Sequence, residues 1–371
     1  MLRFIKLFFG LWVLFAPGLG FAQGAKPAWQ IEWEQTIEAA KKEGKVVISI
    51  PSSSELRSAI EARFEKRFGI KVEAVTGRAS SIVGKMVEEY KAGVRYFDLH
   101  IGGSQSILTG LLPEGVLDPV EPVMILPEVK DPKQWWGGHI WVDNAKRYIY
   151  STLAYQSESL WYNSQLMKPN EMKSFDDLLA ERFHEKLGLL DPRTPGAGAS
   201  IWSYLREIKG EDFMRKLVTQ KLLINRNQRV LAESLAKGRV ALIMGLTYYS
   251  YAPFVKAGLP VAPLPIPREG IFVSGGSGNL AILKNAPHPN ALRVFVNWLL
   301  GKEGQEIYSK ALGQGTRRLD VDTKWLQEFG VIAAKDKITL EEFAKLENQS
   351  EDKIREIREP GAALARKLLS H

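Results

Sequence analysis

The chain has 371 residues, 45% hydrophobic and 25% charged, with no cysteine and a formal net charge of +8. That length is enough for two lobes with separate cores, and the composition is that of a globular protein. The lack of cysteine excludes disulfides, thiol nucleophiles, zinc–thiolate sites and a lipid-bearing cysteine.

The N-terminus "MLRFIKLFFGLWVLFAPGLGFAQG" has Arg3 and Lys6, an apolar run from Leu7 to Ala16, and small residues Gly20 and Ala22. This is the layout of a secretory signal peptide cleaved after residue 22, and the run is too short to span a bilayer comfortably. An exported protein, free in a periplasm, is expected. Losing Arg3 and Lys6 leaves +6. Export argues against nucleic acid as the partner of that charge. The basic residues are also interleaved with acids, as in "ARFEKRFG", which suits a solvated surface.

After the leader, "VVISIP" reads as a buried parallel strand ended by proline. In the next segment Leu56, Ile60, Phe64 and Phe68 share one helical face that Gly69 closes. "IKVEAV" is a second strand, and "ASSIVGKMVEEYKAG" a second helix with Ile82, Val83, Met86, Val87 and Tyr90 on one side. "FDLHIGG" is a third strand. Strand and helix alternating through short connections predict an α/β doubly wound lobe. "YIYSTLAYQSESLWYN" has aromatic, β-rich segments without a long helix, as strands crossing between lobes would. Helical pattern resumes through "ASIWSYLREIKGEDFMRKLV", and "RVALIMGL" is another buried strand. The prolines of "VAPLPIPREG" keep it extended, returning the chain to the first lobe at "IFVSGGSGNLAIL". "HPNALRVFVNWLLGKEGQEIYSKAL" is an amphipathic helix pair, and the charged helical stretch after residue 320 is expected to cap the outside.

The segments "AAKKEGKVVISI", "FEKRFGIKVEAVTGRASS", "LWYNSQLM", "LLDPRTPGAG" and "NALRVFVNWLLGKEGQEIYSKAL", in this order and after a leader, span nearly the whole mature chain. Together they resemble the extracellular solute-binding proteins of bacterial ABC importers, in the ferric-binding-like branch. The resemblance implies a two-lobed, type II-like periplasmic binding protein fold with doubly wound α/β lobes joined by a two-stranded hinge. One lobe would comprise residues 23–150 with 271–320, the other 151–270, and residues 321–371 a helical extension packed on the lobes. It implies capture of a small solute between the lobes and its delivery to an inner-membrane permease; a monomer with no nucleic-acid partner and no resident cofactor is expected.

Open α/β sheets place ligands beyond their strand C-termini, where helix N-termini point. The loop "PSSSE" offers Ser53 and Ser54, "TGRASS" offers Arg78, Ser80 and Ser81, and "IGGS" offers Gly103 and Ser104. In the other lobe "DPRTPGAGAS" offers Thr194, Gly196, Ala197 and Gly198, whose glycines let backbone amides approach a ligand. Each serine alone can be a simple helix cap. The loops "PSSSE", "TGRASS" and "DPRTPGAGAS", converging on one cleft with an arginine, point to an anion.

"GLTYYSYAP" gathers Tyr248, Tyr249 and Tyr251 at one turn. By resemblance, Tyr248 and Tyr249 match the tyrosine pair that binds iron(III) in ferric members, and phenolate oxygens suit that hard cation. The family's histidine ligand, however, falls on Ser53, its acid near Gly103, and its asparagine-like anion contact on Leu246 and Thr247. The expected cargo is therefore a small organic anion, with ferric iron held by Tyr248 and Tyr249 as the alternative. Tyr251 reads as structural, and Glu55 as a helix-dipole partner. A secreted hydrolase is the distant third. G-x-S-x-G, H-E-x-x-H and P-loop motifs are all missing, and His100, His139, His184 and His288 are dispersed, each expected on the surface or in the core.

Overall fold

The protein, seen as a computed structural model, is described for residues 26–157 and 160–370. Residues 1–22, read above as a signal peptide, lie outside the described residues. In chain order the first half comprises α1 (Ala28–Glu43), β1 (Lys45–Ile50), α2 (Ser54–Phe68), β2 (Lys71–Thr76), α3 (Ala79–Lys91), β3 (Leu99–Gly102), β4 (Leu117–Asp118) and β5 (Tyr150–Ser151). A crossover strand, β6 (Tyr155–Ser157), leads to β7 (Leu160–Asn163), β8 (Leu187–Leu190), α4 (Ala197–Val218), β9 (Leu223–Asn225), α5 (Gln228–Ala236), β10 (Leu242–Met244), α6 (Tyr248–Lys256) and β11 (Val261–Pro263). The chain returns through β12 (Asn279–Leu283), α7 (Pro289–Leu300) and α8 (Lys302–Leu312), then runs by β13 (Val331–Ala333) to α9 (Glu359–Leu368).

Two sheets result. The first has the order β2-β1-β3-β12-β4, with β5 also pairing β12; β1 is parallel to β2 and β3, and the returning β12 is antiparallel to β3. The second has the order β11-β7-β10-β8-β9 and starts at Leu160 rather than at residue 151. Apolar spacing explains the first lobe. Leu56, Ile60, Phe64 and Phe68 are the buried face of α2, and Gly69 closes the helix in the left-handed region at φ 68°. Phe64 meets Phe295 and Trp298 of α7 edge-on, each at 5.3 Å between ring centroids. Burying such a ring contributes about 2–3 kcal/mol, so α7 docks the returning chain firmly on its starting lobe.

The two crossings lie side by side: Tyr155 N donates to Ser274 O at 3.0 Å and Ser274 N to Tyr155 O at 2.8 Å. The expected two-stranded hinge thus exists, but β13 adds a third strand by pairing antiparallel with β6. The C-terminal stretch, expected as a helical cap packed on the lobes, thus also contributes a strand to the hinge. Leu346 O accepts from Val273 N (2.8 Å), and Trp202 Nε1 of α4 donates to Gly361 O of α9 (2.9 Å), with Leu364 and Ala365 in the second lobe's core. The segment therefore follows the hinge from one lobe to the other. Its charged pattern signals solvent on one face and hides the buried one.

Candidate functional site

A cavity of about 1300 Å³ opens between the two sheets. The loops after β1, β2 and β3 form one wall, the N-terminal turns of α4, α5 and α6 the other, and the hinge strands with Asn348, Gln349 and Arg358 the floor.

The first wall is made of strand ends running into helix N-termini. Ser53 caps α2, its Oγ accepting from Leu56 N at 3.2 Å, while Ser54 and Glu55 form the exposed first turn. Arg78 stands at the start of α3, exposed on the cavity rim, with its guanidinium 3.2 Å from Ser81 Oγ. Gly103 and Ser104 line the cavity as well. Ser80 and Ser81 do not, because the first turn of α3 carries them away. Below this wall lies His100, 1% exposed. Its Nδ1 is 3.0 Å from Ser49 Oγ, and its Nε2 has no partner among the described residues. Burial pushes the imidazole down to about 4, so it is neutral at ordinary pH. The sequence places it on the surface or in the core; a polar residue inside the apolar run "FDLHIGG", two positions before the strand's end, is the signal for a cavity-wall position.

In the second wall Thr194, Gly196 and Ala197 line the cavity where α4 begins. Gly198 does not: a Cβ there would lie 2.0 Å from Leu190 O, so this glycine lets α4 seat against β8. Beside it, Asp191 accepts from Arg193 Nε (2.8 Å) and Arg226 Nε (2.9 Å). Burial alone would raise that carboxyl, but the two guanidinium groups hold it down at about 2. Asn227 caps α5, its Oδ1 accepting from Arg229 N at 2.9 Å. Lys256 reaches across the cleft to Glu55 Oε2, at 3.2 Å.

Successive helical residues are about 100° apart, and this separates the tyrosines. Tyr249 lines the cavity. Tyr248 does not; its ring faces the other lobe, 4.8 Å from that of Phe329 and against Gly313, where a Cβ would lie 2.1 Å from its Cδ1. Burial raises its phenol pKa. Tyr251 stacks on Trp161 at 4.0 Å and is fully buried, a core residue. The adjacent pair is therefore not presented together. Tyr155 of β6 joins Tyr249 on the cavity wall, its phenol pushed up by burial. Among the described residues no group of three or more His, Asp and Glu side chains is placed to hold a metal ion.

Arg358 completes the floor. It is 6% exposed, donates from Nη2 to Gly196 O at 3.0 Å, and its Nε has no partner among the described residues. Burial pushes it down to about 10, so it stays charged at neutral pH. Nothing in a single sequence marks it, because it sits 162 residues from the loop it serves.

A family model described as bacterial extracellular solute-binding protein matches residues 45–311. The chain belongs to that family. Its members are binding proteins rather than enzymes; they work in the periplasm and hand a solute to the permease of an ABC importer. Among solved structures, iron-bound HitA from Pseudomonas aeruginosa superposes with a TM-score of 0.64 at 18% identity, over 87% of this chain and 99% of HitA. AfuA from Actinobacillus pleuropneumoniae, with exogenous fructose-6-phosphate bound, gives 0.63 at 19% identity, over 88% of this chain and 98% of AfuA. A Haemophilus influenzae protein is 21% identical over 276 residues, 72% of this chain and 76% of its own length. The structural likenesses establish the two-lobed periplasmic binding protein fold. Among the described residues no helix is long and apolar enough to cross a membrane.

Proposed function

We propose that this solute-binding protein captures a small organic anion between its lobes and delivers it to the permease as a monomer. One observation carries the proposal. Of the charged side chains on the cavity wall, Glu55 is answered by Lys256 and Asp191 by Arg193 and Arg226, whereas Arg78, Arg229 and Arg358 meet no carboxylate among the described residues. Residues at the N-terminal ends of α2, α3, α4 and α5 line the cavity from both walls, and the positive end of a helix dipole favours an anion there. A neutral solute would leave this field unanswered, and a cation would be repelled. AfuA, with its sugar phosphate, fits such a field.

A second reading has one observation behind it: Tyr155 and Tyr249 both lie on the cavity wall, and iron-bound HitA shares the fold. Ferric ion held by Tyr249 would give a visible phenolate-to-iron band. Titrating ferric citrate and iron-free citrate, following heat and absorbance together, separates the two. Under the proposal the ferric titration gives no visible band beyond the absorbance of ferric citrate itself, and an iron-free anion gives the heat. A visible band that vanishes in Tyr249→Phe sinks the proposal in favour of iron.

A further inference from the structure

We propose that the C-terminal segment, beyond the residues the family model matches, holds the solute's anionic group: Arg358 is the anchor, and Asn348 and Gln349 read the groups next to it. The inference rests on the reading that the cavity takes an organic anion. Arg358 is nearly inaccessible and faces the cavity with one side-chain hydrogen bond among the described residues, to Gly196 O, out of five possible donors. A buried cation without a counter-charge is costly, and an entering carboxylate or phosphate relieves that cost. The bond to Gly196 places the guanidinium at the N-terminal turn of α4, where free backbone amides favour the same anion.

The two neighbours supply complementary groups. Asn348 Nδ2 and Gln349 Oε1 are buried without partners among the described residues, and both residues line the cavity. Gln349 is fixed there because its Nε2 meets Ser151 Oγ at 3.3 Å and its Oε1 fills the space a side chain at Gly275 would occupy. One free donor and one free acceptor beside a cation suit an oxyanion that carries hydroxyls, such as a hydroxy acid or a sugar phosphate. Because Leu346 is tied to the hinge and Gly361 to α4, the segment presents these groups at the junction of the lobes. The merely structural alternative is that Arg358 exists to hold Gly196.

The test titrates the full-length protein, dialysed free of solute, with citrate, fructose-6-phosphate and inorganic phosphate, against neutral fructose. For whichever anion binds best, Arg358→Met should weaken binding at least about thirtyfold, Arg358→Lys and Gln349→Ala about fivefold to tenfold, and fructose should not bind. Ligand-free Arg358→Met should melt no lower than the parent protein, since a buried charge has been removed. If Arg358→Met binds within threefold of the parent while Arg78→Ala weakens binding, the anchor is refuted and the anion reading stands. A ligand-free melting temperature lowered by more than about 5 °C makes Arg358 a prop for Gly196, and the inference fails. Should the parent bind none of the anions, both the inference and the functional reading fall.

Discussion

The two walls of the cavity use the same part, a strand end running into a helix N-terminus, but they commit their charges differently. In the first lobe Arg78 is exposed, with only the hydroxyl of Ser81 beside it. In the second, α4 is locked onto β8 by Gly198, Asp191 is buried between Arg193 and Arg226, and Arg358 is sealed beneath. Water screens an exposed cation and lets its side chain follow a ligand. A buried one cannot move or be screened, so geometry must be right beforehand. The first wall is thus suited to steering and closing, the second to discrimination.

Glycine substitutions should expose that contrast most strongly. Gly198→Ala would force a Cβ to 2.0 Å from a backbone oxygen and should destabilise the protein by about 3 kcal/mol or more, read as a shift in urea midpoint. In α3 of the other lobe, Gly84 has nothing within 4 Å of its would-be Cβ. There Gly84→Ala should instead stabilise by about 0.5–1 kcal/mol. Equal losses at both sites would erase the difference in packing.

Acid should distinguish the walls next. His100 protonates near 6.5 when unfolded but, through burial, only at about 4 when folded. The unfolded chain binds more protons in that window, so stability falls as pH drops from about 6.5 to 4, by on the order of 3 kcal/mol. Asp191 is held at about 2 when folded, so its contribution is intact above about 4 and is lost as pH falls from there towards 2. The first wall should therefore weaken at milder acidity. His100→Asn should flatten the stability difference between pH 7 and pH 4.5 measured by denaturant unfolding; an unchanged slope would remove His100 from this account.

Binding by the exposed wall should be a smaller effect. Arg78→Ala should cost about 1–2 kcal/mol of anion affinity by calorimetry, and the loss should shrink in high salt. Smallest of all is the contact across the cleft. Glu55 and Lys256 are 54% and 63% exposed, so Glu55→Gln should change stability by less than about 1 kcal/mol, and by nothing measurable at 1 M salt. A larger loss would mean that this pair, rather than the solute, holds the lobes together.

Much of this architecture was legible in the residues. The four-residue apolar steps of α2 and the proline after "VVISI" announced the first doubly wound lobe, and the aromatic crossover the passage to a second, because local burial patterns and turn chemistry are encoded locally. That both lobes are doubly wound was implied by the family resemblance. The loops holding Ser53, Ser54, Arg78, Gly103, Ser104, Thr194, Gly196 and Ala197 were found the same way, since strand-to-helix junctions predict where a cleft opens. What was not legible depends on direction or distance. Tyr248 and Tyr249 look alike as letters, yet one helical step turns the first into the facing lobe. Gly198 follows Gly196 and Ala197 but serves a close approach to Leu190. Asn348, Gln349 and Arg358 reach the cavity only because β13 joins the hinge, a long-range pairing that no local pattern encodes.

The central claim, that this cavity holds an organic anion, is tested most directly by native mass spectrometry of the protein purified without denaturation, with metal analysis of the same sample. The account predicts one small organic anion per chain, released on unfolding, and no stoichiometric iron. One ferric ion per chain, or a neutral solute, would contradict it.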